Sequence, residues 1–121
     1  MSSQKTQDVH AAYAAVERND IDGYLNFFTT DAVYKVGNFD AVHGHEGIRA
    51  LAEPLVQMFT SVTHDIKQVW EINETVIVEM DVIYLRKDGQ EFRLPCVDVI
   101  EFAGGKVQVL KAYLDPGPAF S

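Results

Sequence analysis

The sequence is poor in cysteine and in positive charge, and both shortages limit what the protein can do. Cys96 is the single cysteine among 121 residues, so no disulfide can form within the chain. Ten Lys and Arg residues oppose 18 Asp and Glu residues, which gives a formal net charge of −8. Because nucleic acids and anionic membranes require a basic surface, we expect neither as a partner.

Long apolar runs and cofactor motifs are also missing. No segment approaches the ~20 apolar residues of a membrane span, and the amino terminus, MSSQKTQDVH, lacks the apolar core of a secretory signal. The dinucleotide fingerprint, the phosphate-binding loop and the nucleophile elbow do not occur. We therefore expect a cytoplasmic protein that needs no cofactor.

The composition that remains is that of one globular domain. Hydrophobic residues make up 47% of the chain and charged residues 23%, which are ordinary values. No repeat or linker divides the sequence, so we expect a single domain over residues 1–121. Its ends, residues 1–5 and 117–121, are expected to be disordered, because the motif DPGP ends the last strand.

Three apolar stripes at helical spacing occupy the first half of the chain. They comprise Val9, Ala12, Tyr13 and Val16, then Ile21, Tyr24, Leu25 and Phe28, and finally Ile48, Leu51, Leu55 and Phe59. Thr6 or Asp8 can cap the first helix, and Asp20 can cap the second. Pro54 should kink the third helix or begin a new turn within it.

Alternating segments come next and predict strands. They cover residues 32–36, 64–72, 76–86, 92–102 and 107–114. The alternation places His64 and Trp70 on the same face of the second of these strands, and we interpret His64 as a satisfied core or rim histidine. Helices grouped first and an antiparallel sheet afterwards indicate the α+β class, with the helices covering one sheet face.

One acidic residue interrupts an apolar stripe. Every second residue from Phe92 to Phe102 shares one face of a strand, and all are apolar except Asp98. A buried ionised carboxylate is costly without a partner, so such a group is paired, hydrogen-bonded or neutral. We interpret Asp98 as a candidate general acid or base. The alternative is a structural acid held by a buried tyrosine or a backbone amide.

The face opposite Asp98 on the last two strands is half apolar. It carries Pro95, Val97, Val99, Val107, Val109 and Tyr113, mixed with Arg93, Glu101 and Lys111. An antiparallel sheet face in water is usually more polar, so we expect a homodimer packed through this outer face. The alternative is simple β-propensity, because branched residues favour strands in any case.

The order of these elements resembles the SnoaL-like branch of the nuclear transport factor 2-like superfamily. The resemblance rests on NDIDGYLNFFTTDAVY, GHEGIRAL, YLRKDG, PCVDVIEFAGGKV and AYLDPGPAF, in that order and spacing. It implies a cystatin-like cone, in which a bent antiparallel sheet wraps around three helical segments and leaves an apolar pocket. Members of the family are commonly homodimers, which agrees with the half-apolar outer face.

Two enzymes of the superfamily give partial matches. Asp98 lies where ketosteroid isomerase has its neutral, hydrogen-bond-donating aspartic acid. That enzyme's tyrosine falls at Ala12, next to Tyr13, and its general base falls at Val36, which cannot take a proton. In limonene-epoxide-hydrolase-like members, Tyr34 matches a tyrosine of the water-binding site, but Val36 again replaces a polar residue. Neither activity is therefore expected.

The resemblance and the residues together give a candidate site. The catalytic candidates are Asp98, Tyr13, Tyr34, His43 and His45, with the tyrosines donating hydrogen bonds and a histidine relaying protons. The side chains expected to line the pocket are Phe28, Met58, Phe59, Trp70, Tyr84, Cys96 and Ile100. We interpret Cys96 as a buried structural thiol.

The loop before the third helix admits a second interpretation. Asp40 and Glu46 flank His43 and His45, and imidazole with carboxylate can bind a divalent metal. A solvated loop, or a histidine at the pocket mouth, is favoured, and no metal is expected. The function expected is cofactor-independent isomerisation, cyclisation or dehydration of a small hydrophobic carbonyl or hydroxyl compound. The alternative is a non-catalytic ligand-binding or dimeric assembly domain of the same fold.

Overall fold

A computed structural model describes residues 3–120, which form four helices and six strands. In chain order they are α1 (Gln4–Glu17), α2 (Ile21–Leu25), β1 (Phe28–Val36), β2 (Val42–His43), α3 (Gly44–Met58), β3 (Phe59–Ile72), β4 (Thr75–Arg86), β5 (Glu91–Ala103), β6 (Lys106–Tyr113) and α4 (Gly117–Phe120). No helix within this range is long and apolar enough to cross a bilayer.

The strands form one bent sheet in the order β2-β1-β6-β5-β4-β3. Strands β3 to β6 are an antiparallel meander, and β1 pairs with β6 in parallel. The sheet is therefore mixed rather than wholly antiparallel. The chain leaves β1 through β2 and α3, and β6 is the strand that returns beside β1, on the side of β1 away from β2. The helices contact β1 and β3 on one side of the sheet. This arrangement confirms the α+β class and the cystatin-like cone.

The first two helices begin at residues that accept hydrogen bonds from backbone amides. Ser3, rather than Thr6 or Asp8, caps α1, and its Oγ accepts from the Thr6 amide over 3.2 Å. Asp20 caps α2 as expected and accepts from the Gly23 amide over 2.9 Å. Such caps satisfy amides that have no partner within the helix. They fix the two helices that carry tyrosines toward the interior of the cone.

Helix α3 continues through Pro54 to Met58, and Phe59 already belongs to β3. Proline lacks the amide that would bond to the carbonyl four residues earlier, but the rest of the turn is retained. The third apolar stripe therefore spans a helix and the first residue of a strand. Ile48 on this helix is fully buried.

The strand that carries Asp98 has the predicted alternation. On β5, Leu94, Cys96, Asp98 and Ile100 are buried, whereas the residues between them are exposed or half-buried. Val78 of β4 pairs with Asp98 on the inner side of the sheet. Among residues 3–120, Asp98 is the one charged residue that is fully buried, with an exposure of 4%.

Two irregularities in the sheet change which face a side chain occupies. The β3–β4 register shifts between Ile66 and Gln68, so the alternation reverses and Trp70 points away from the core, with 45% exposure. A second shift, where β5 meets β6, pairs Phe102 with Val107. Val107, expected on the outer face, is buried in the core.

The carboxyl end of the described chain is ordered. In place of the expected disordered tail, residues 117–120 form α4, in which Ala119 is fully buried. The Phe120 ring contacts Phe59 at 5.5 Å and Tyr84 at 6.3 Å between centroids. At the other end α1 begins at Gln4. Residues 1, 2 and 121, also expected to be disordered, lie outside the described residues.

Candidate functional site

A cavity of about 370 Å³ lies between the helices and the inner face of the sheet. Every helix and all strands except β2 contribute to its wall. The apolar part of the wall includes Val36, Leu51, Leu55, Val62, Val82 and Leu114. A cavity of this size and character suits a compact hydrophobic molecule.

Only some of the side chains that were expected to line the pocket do so. Phe59, Tyr84 and Cys96 line the cavity. Phe28 and Ile100 are buried in the core beside it, and Met58 is partly buried against that core. The prediction that Trp70 lines the pocket is wrong, because the β3 register shift turns it to the outer face.

Asp98 lies in the cavity wall with a donor on each carboxylate oxygen. Tyr13 Oη donates to Oδ2 over 2.6 Å, and Cys96 Sγ donates to Oδ1 over 3.4 Å. Burial raises the pKa of Asp98 to about 6, although both hydrogen bonds oppose that rise. Burial, followed by the nearby Asp98 charge, raises the pKa of Tyr13 well above its ordinary value. The pair therefore holds a carboxyl group that can exist in either protonation state near neutral pH.

A second pair of phenols lines the same cavity. The hydroxyls of Tyr24 on α2 and Tyr34 on β1 are 2.9 Å apart. Burial raises the pKa of Tyr34 to about 12 and raises the pKa of Tyr24 well above its ordinary value. Because one hydroxyl donates to the other, the acceptor keeps its own proton for a third group. The helical stripe indicated Tyr24 only as a core residue, since spacing does not show where a hydroxyl points.

His64 is a cavity residue that the sequence did not assign to the site. Its Nδ1 lies 2.9 Å from Glu17 Oε2, and its backbone amide donates to the same oxygen over 2.8 Å. The imidazole stacks on the Tyr13 ring, with centroids 4.5 Å apart and an interplanar angle of 22°. Burial lowers the pKa of His64 despite the opposing effect of Glu17. Glu17 and His64 are 47 residues apart, so spacing along the chain could not pair them.

The two loop histidines do not reach the cavity. His43 is exposed just before α3, and no side-chain capping bond forms there. His45 Nε2 lies 3.1 Å from the Phe28 carbonyl oxygen, so its ring bonds to β1 instead. Among residues 3–120, no three His, Cys, Asp or Glu side chains converge as metal ligands. The relay role expected for these histidines is thus not supported by their position.

Comparison with known proteins decides the family. The model of the SnoaL-like domain matches residues 9–109. The chain belongs to the SnoaL-like domain family. The comparison with curated proteins gives no significant sequence match.

Solved structures share the fold of this SnoaL-like domain at low identity. An NTF2-like protein of unknown function from Burkholderia pseudomallei has a TM-score of 0.87 and 19% identity, over 97% of this chain and 95% of that one. A proposed polyketide cyclase from Xanthomonas campestris has a TM-score of 0.86 and 19% identity, over 95% and 93%. An LEH-like epoxide hydrolase from M. tuberculosis has a TM-score of 0.82 and 17% identity, over 97% and 86%. At such identities the likeness shows the fold alone.

At Val36, where the sequence resemblance to ketosteroid isomerase implies a general base, the cavity wall is apolar. Val36 lines the cavity and carries no group that could accept a proton. Asp98, in contrast, lies in the wall with Tyr13 bonded to it. The ionisable side chains in the cavity wall are Asp20, His64, Cys96, Asp98 and four tyrosines.

Proposed function

We propose that this SnoaL-like domain catalyses cofactor-independent proton transfer on a small hydrophobic carbonyl or hydroxyl compound, as an isomerase, cyclase or dehydratase. The observation that carries the proposal is Asp98, buried in the wall of an apolar cavity with Tyr13 donating to it over 2.6 Å. A carboxyl pKa of about 6 suits proton transfer near neutral pH, since both forms of the group are then accessible.

The geometry suggests how the reaction is divided among the side chains. Asp98 exchanges a proton with the substrate, and Tyr13 holds the carboxyl group in place through its hydroxyl. The free hydroxyl hydrogen of the Tyr24–Tyr34 pair donates to the substrate oxygen, on which negative charge grows during enolisation. The apolar wall excludes water, which strengthens each of these interactions.

A non-catalytic binding domain is the second candidate. It is favoured by Val36, an apolar cavity residue at the position where the sequence resemblance implies a group that handles a proton or water. In this case Asp98 and Tyr13 are a structural hydrogen-bonded pair, and the cavity only binds its ligand. The two candidates differ in whether a bound carbonyl compound loses a carbon-bound proton.

Hydrogen–deuterium exchange separates them without knowledge of the natural substrate. We expect the protein to accelerate exchange of the α-protons of 2-tetralone in D₂O, followed by proton NMR. Asp98→Asn should reduce that rate by about 100-fold or more, as loss of a general acid–base group usually does. Asp31→Asn, which changes an exposed acid on β1, is the matched control and should leave the rate unchanged. Binding of 2-tetralone without faster exchange would favour the binding domain.

A further inference from the structure

Within residues 3–120, His64 is the one imidazole that the fold brings into the cavity. It lies on β3 opposite Val82 of β4, on the inner side of the sheet, and only 8% of its side chain is exposed. It lines the same cavity as Asp98, and Tyr13 touches both groups, one with its hydroxyl and the other with its ring face. Two groups able to move protons therefore border one ligand volume.

The contacts of Glu17 determine which ring nitrogen of His64 is free. Glu17 Oε2 accepts hydrogen bonds from both the His64 amide and Nδ1. Because an ionised carboxylate can only accept, the neutral imidazole carries its proton on Nδ1. No hydrogen bond to Nε2 is made within residues 3–120. Nε2 thus keeps a lone pair, and the ring that carries it lines the cavity.

We infer that His64 is the general base of this site and that Glu17 is the residue that positions it, an assignment that rests on the proposed function. Nε2 takes a proton from the carbon next to the substrate carbonyl, the electron pair of that bond forms the enol double bond, and the carbonyl π pair moves to the oxygen. Protonated Asp98 gives its proton to that oxygen while the phenols donate hydrogen bonds to it. The imidazolium then returns its proton to carbon, and the Asp98 carboxylate takes the oxygen-bound proton back. The arrangement supplies the base that Val36 cannot be.

Burial supports this role, because it lowers the pKa of His64 and keeps the imidazole neutral at neutral pH. The hydrogen bond to Glu17 opposes that change, since a nearby carboxylate favours the charged ring. Loss of the Glu17 charge should therefore lower the pKa of His64 further. Because this shift reaches the rate only if His64 is the base, the pH profile of the rate separates a positioning role from a merely structural one.

The base can be tested with 5-nitrobenzisoxazole, a compact apolar probe. Loss of its ring C–H proton to a base breaks the N–O bond and releases a coloured nitrile phenolate. We expect His64→Gln to reduce kcat/KM by about 100-fold or more, while Asp98→Asn has a smaller effect. Glu17→Gln should move the pH midpoint of the rate downward. His10→Gln, an exposed histidine on α1, is the matched control and should match the unmodified protein.

Two results would overturn the assignment. The first is a probe rate that His64→Gln leaves unchanged; if 2-tetralone exchange still depends on Asp98, the proposed function stands and only the base is wrong. The second comes from nitrogen-15 NMR of the unmodified protein at a pH of about 7.5, well above the ordinary histidine pKa. We expect neutral His64 with its proton on Nδ1, so a charged ring or a proton on Nε2 would contradict the inference even if the variants failed to fold.

Discussion

Asp98 imposes a cost on the folded protein whether or not it is catalytic. Its carboxyl group is buried, and the hydrogen bonds from Tyr13 and Cys96 do not bring its pKa back to that of a free aspartate. The rise from 3.8 to about 6 corresponds to about 3 kcal/mol, at about 1.36 kcal/mol per pKa unit. If Asp98 had only a structural role, its replacement by asparagine would increase the stability of the folded protein.

That cost should depend on pH in a defined direction. Between about pH 4 and pH 6 the folded chain holds the Asp98 proton that the unfolded chain has released. The native state then binds more protons than the unfolded state, so stability falls as the pH rises through this window. Asp98→Asn removes the effect, and its free energy of unfolding relative to the unmodified protein should rise by up to about 3 kcal/mol from about pH 4 to about pH 7.5.

Urea unfolding of both proteins at several pH values measures this difference. Asparagine can still accept the Tyr13 hydrogen bond, so the comparison isolates the charge. The exposed Asp31→Asn is again the matched control. A difference between Asp98→Asn and the unmodified protein that stayed flat across the range would show that Asp98 titrates like an exposed aspartate.

At the scale of single elements, the sequence predicted the features that periodicity determines and failed where one residue breaks the period. The six-residue stripe on β5 was found correctly, because period two persists through Asp98. The bulge at residue 67 carries neither glycine nor proline and leaves no mark in the sequence, although it reverses the face of Trp70. The contacts between Tyr13 and Asp98 and between Glu17 and His64 join distant elements, so only the fold could show them.

The carboxyl-terminal tail shows a second limit of prediction from the sequence. The motif DPGP does follow the end of the last strand, but the chain continues from it into α4, whose Phe120 lines the cavity. Turn residues predict where an element ends, whereas the later path of the chain depends on apolar surface elsewhere in the fold. Here that surface is aromatic: Phe120 meets Phe39 at 5.8 Å as well as Phe59 and Tyr84.

This packing predicts that Phe120 contributes to both stability and ligand retention. Phe120→Ala should lower the free energy of unfolding by about 2 kcal/mol, from the apolar area it exposes, and should weaken binding of 2-tetralone by opening the cavity. Phe120→Leu retains much of the contact and should have a smaller effect on both. Urea unfolding measures the stability, and a binding titration measures the affinity for 2-tetralone. A Phe120→Ala variant with the stability and affinity of the unmodified protein would show that the tail does not pack on the cavity.

For the whole molecule, the displaced tryptophan enlarges the apolar outer face. Trp70 pairs with Ile77, and Ile77 pairs with Val99, so three apolar side chains form a row across β3, β4 and β5. Trp70 is 45% exposed and Tyr113, farther along the same face, is 59% exposed. A monomer that exposed these side chains would leave a large apolar patch in water, and such patches usually mark an interaction site.

We propose that a second copy of the chain covers this outer face. An isologous contact places the same patch of each subunit against the other, and Trp70 becomes buried. Because Trp70 is the single tryptophan, its fluorescence reports on the interface alone: emission should shift to the blue as concentration rises and dimer forms. Light scattering with size-exclusion chromatography should give twice the chain mass.

A charge placed in the centre of the row should separate the subunits, because it would be buried without a partner. We expect Ile77→Lys to yield a monomer with red-shifted, concentration-independent tryptophan emission, while Ala11→Lys, which adds the same charge on the exposed side of α1, remains a dimer. The cavity lies on the opposite side of the sheet, so a folded Ile77→Lys monomer should still bind 2-tetralone. A dimer that persisted in Ile77→Lys with unchanged emission would place the interface elsewhere on the molecule.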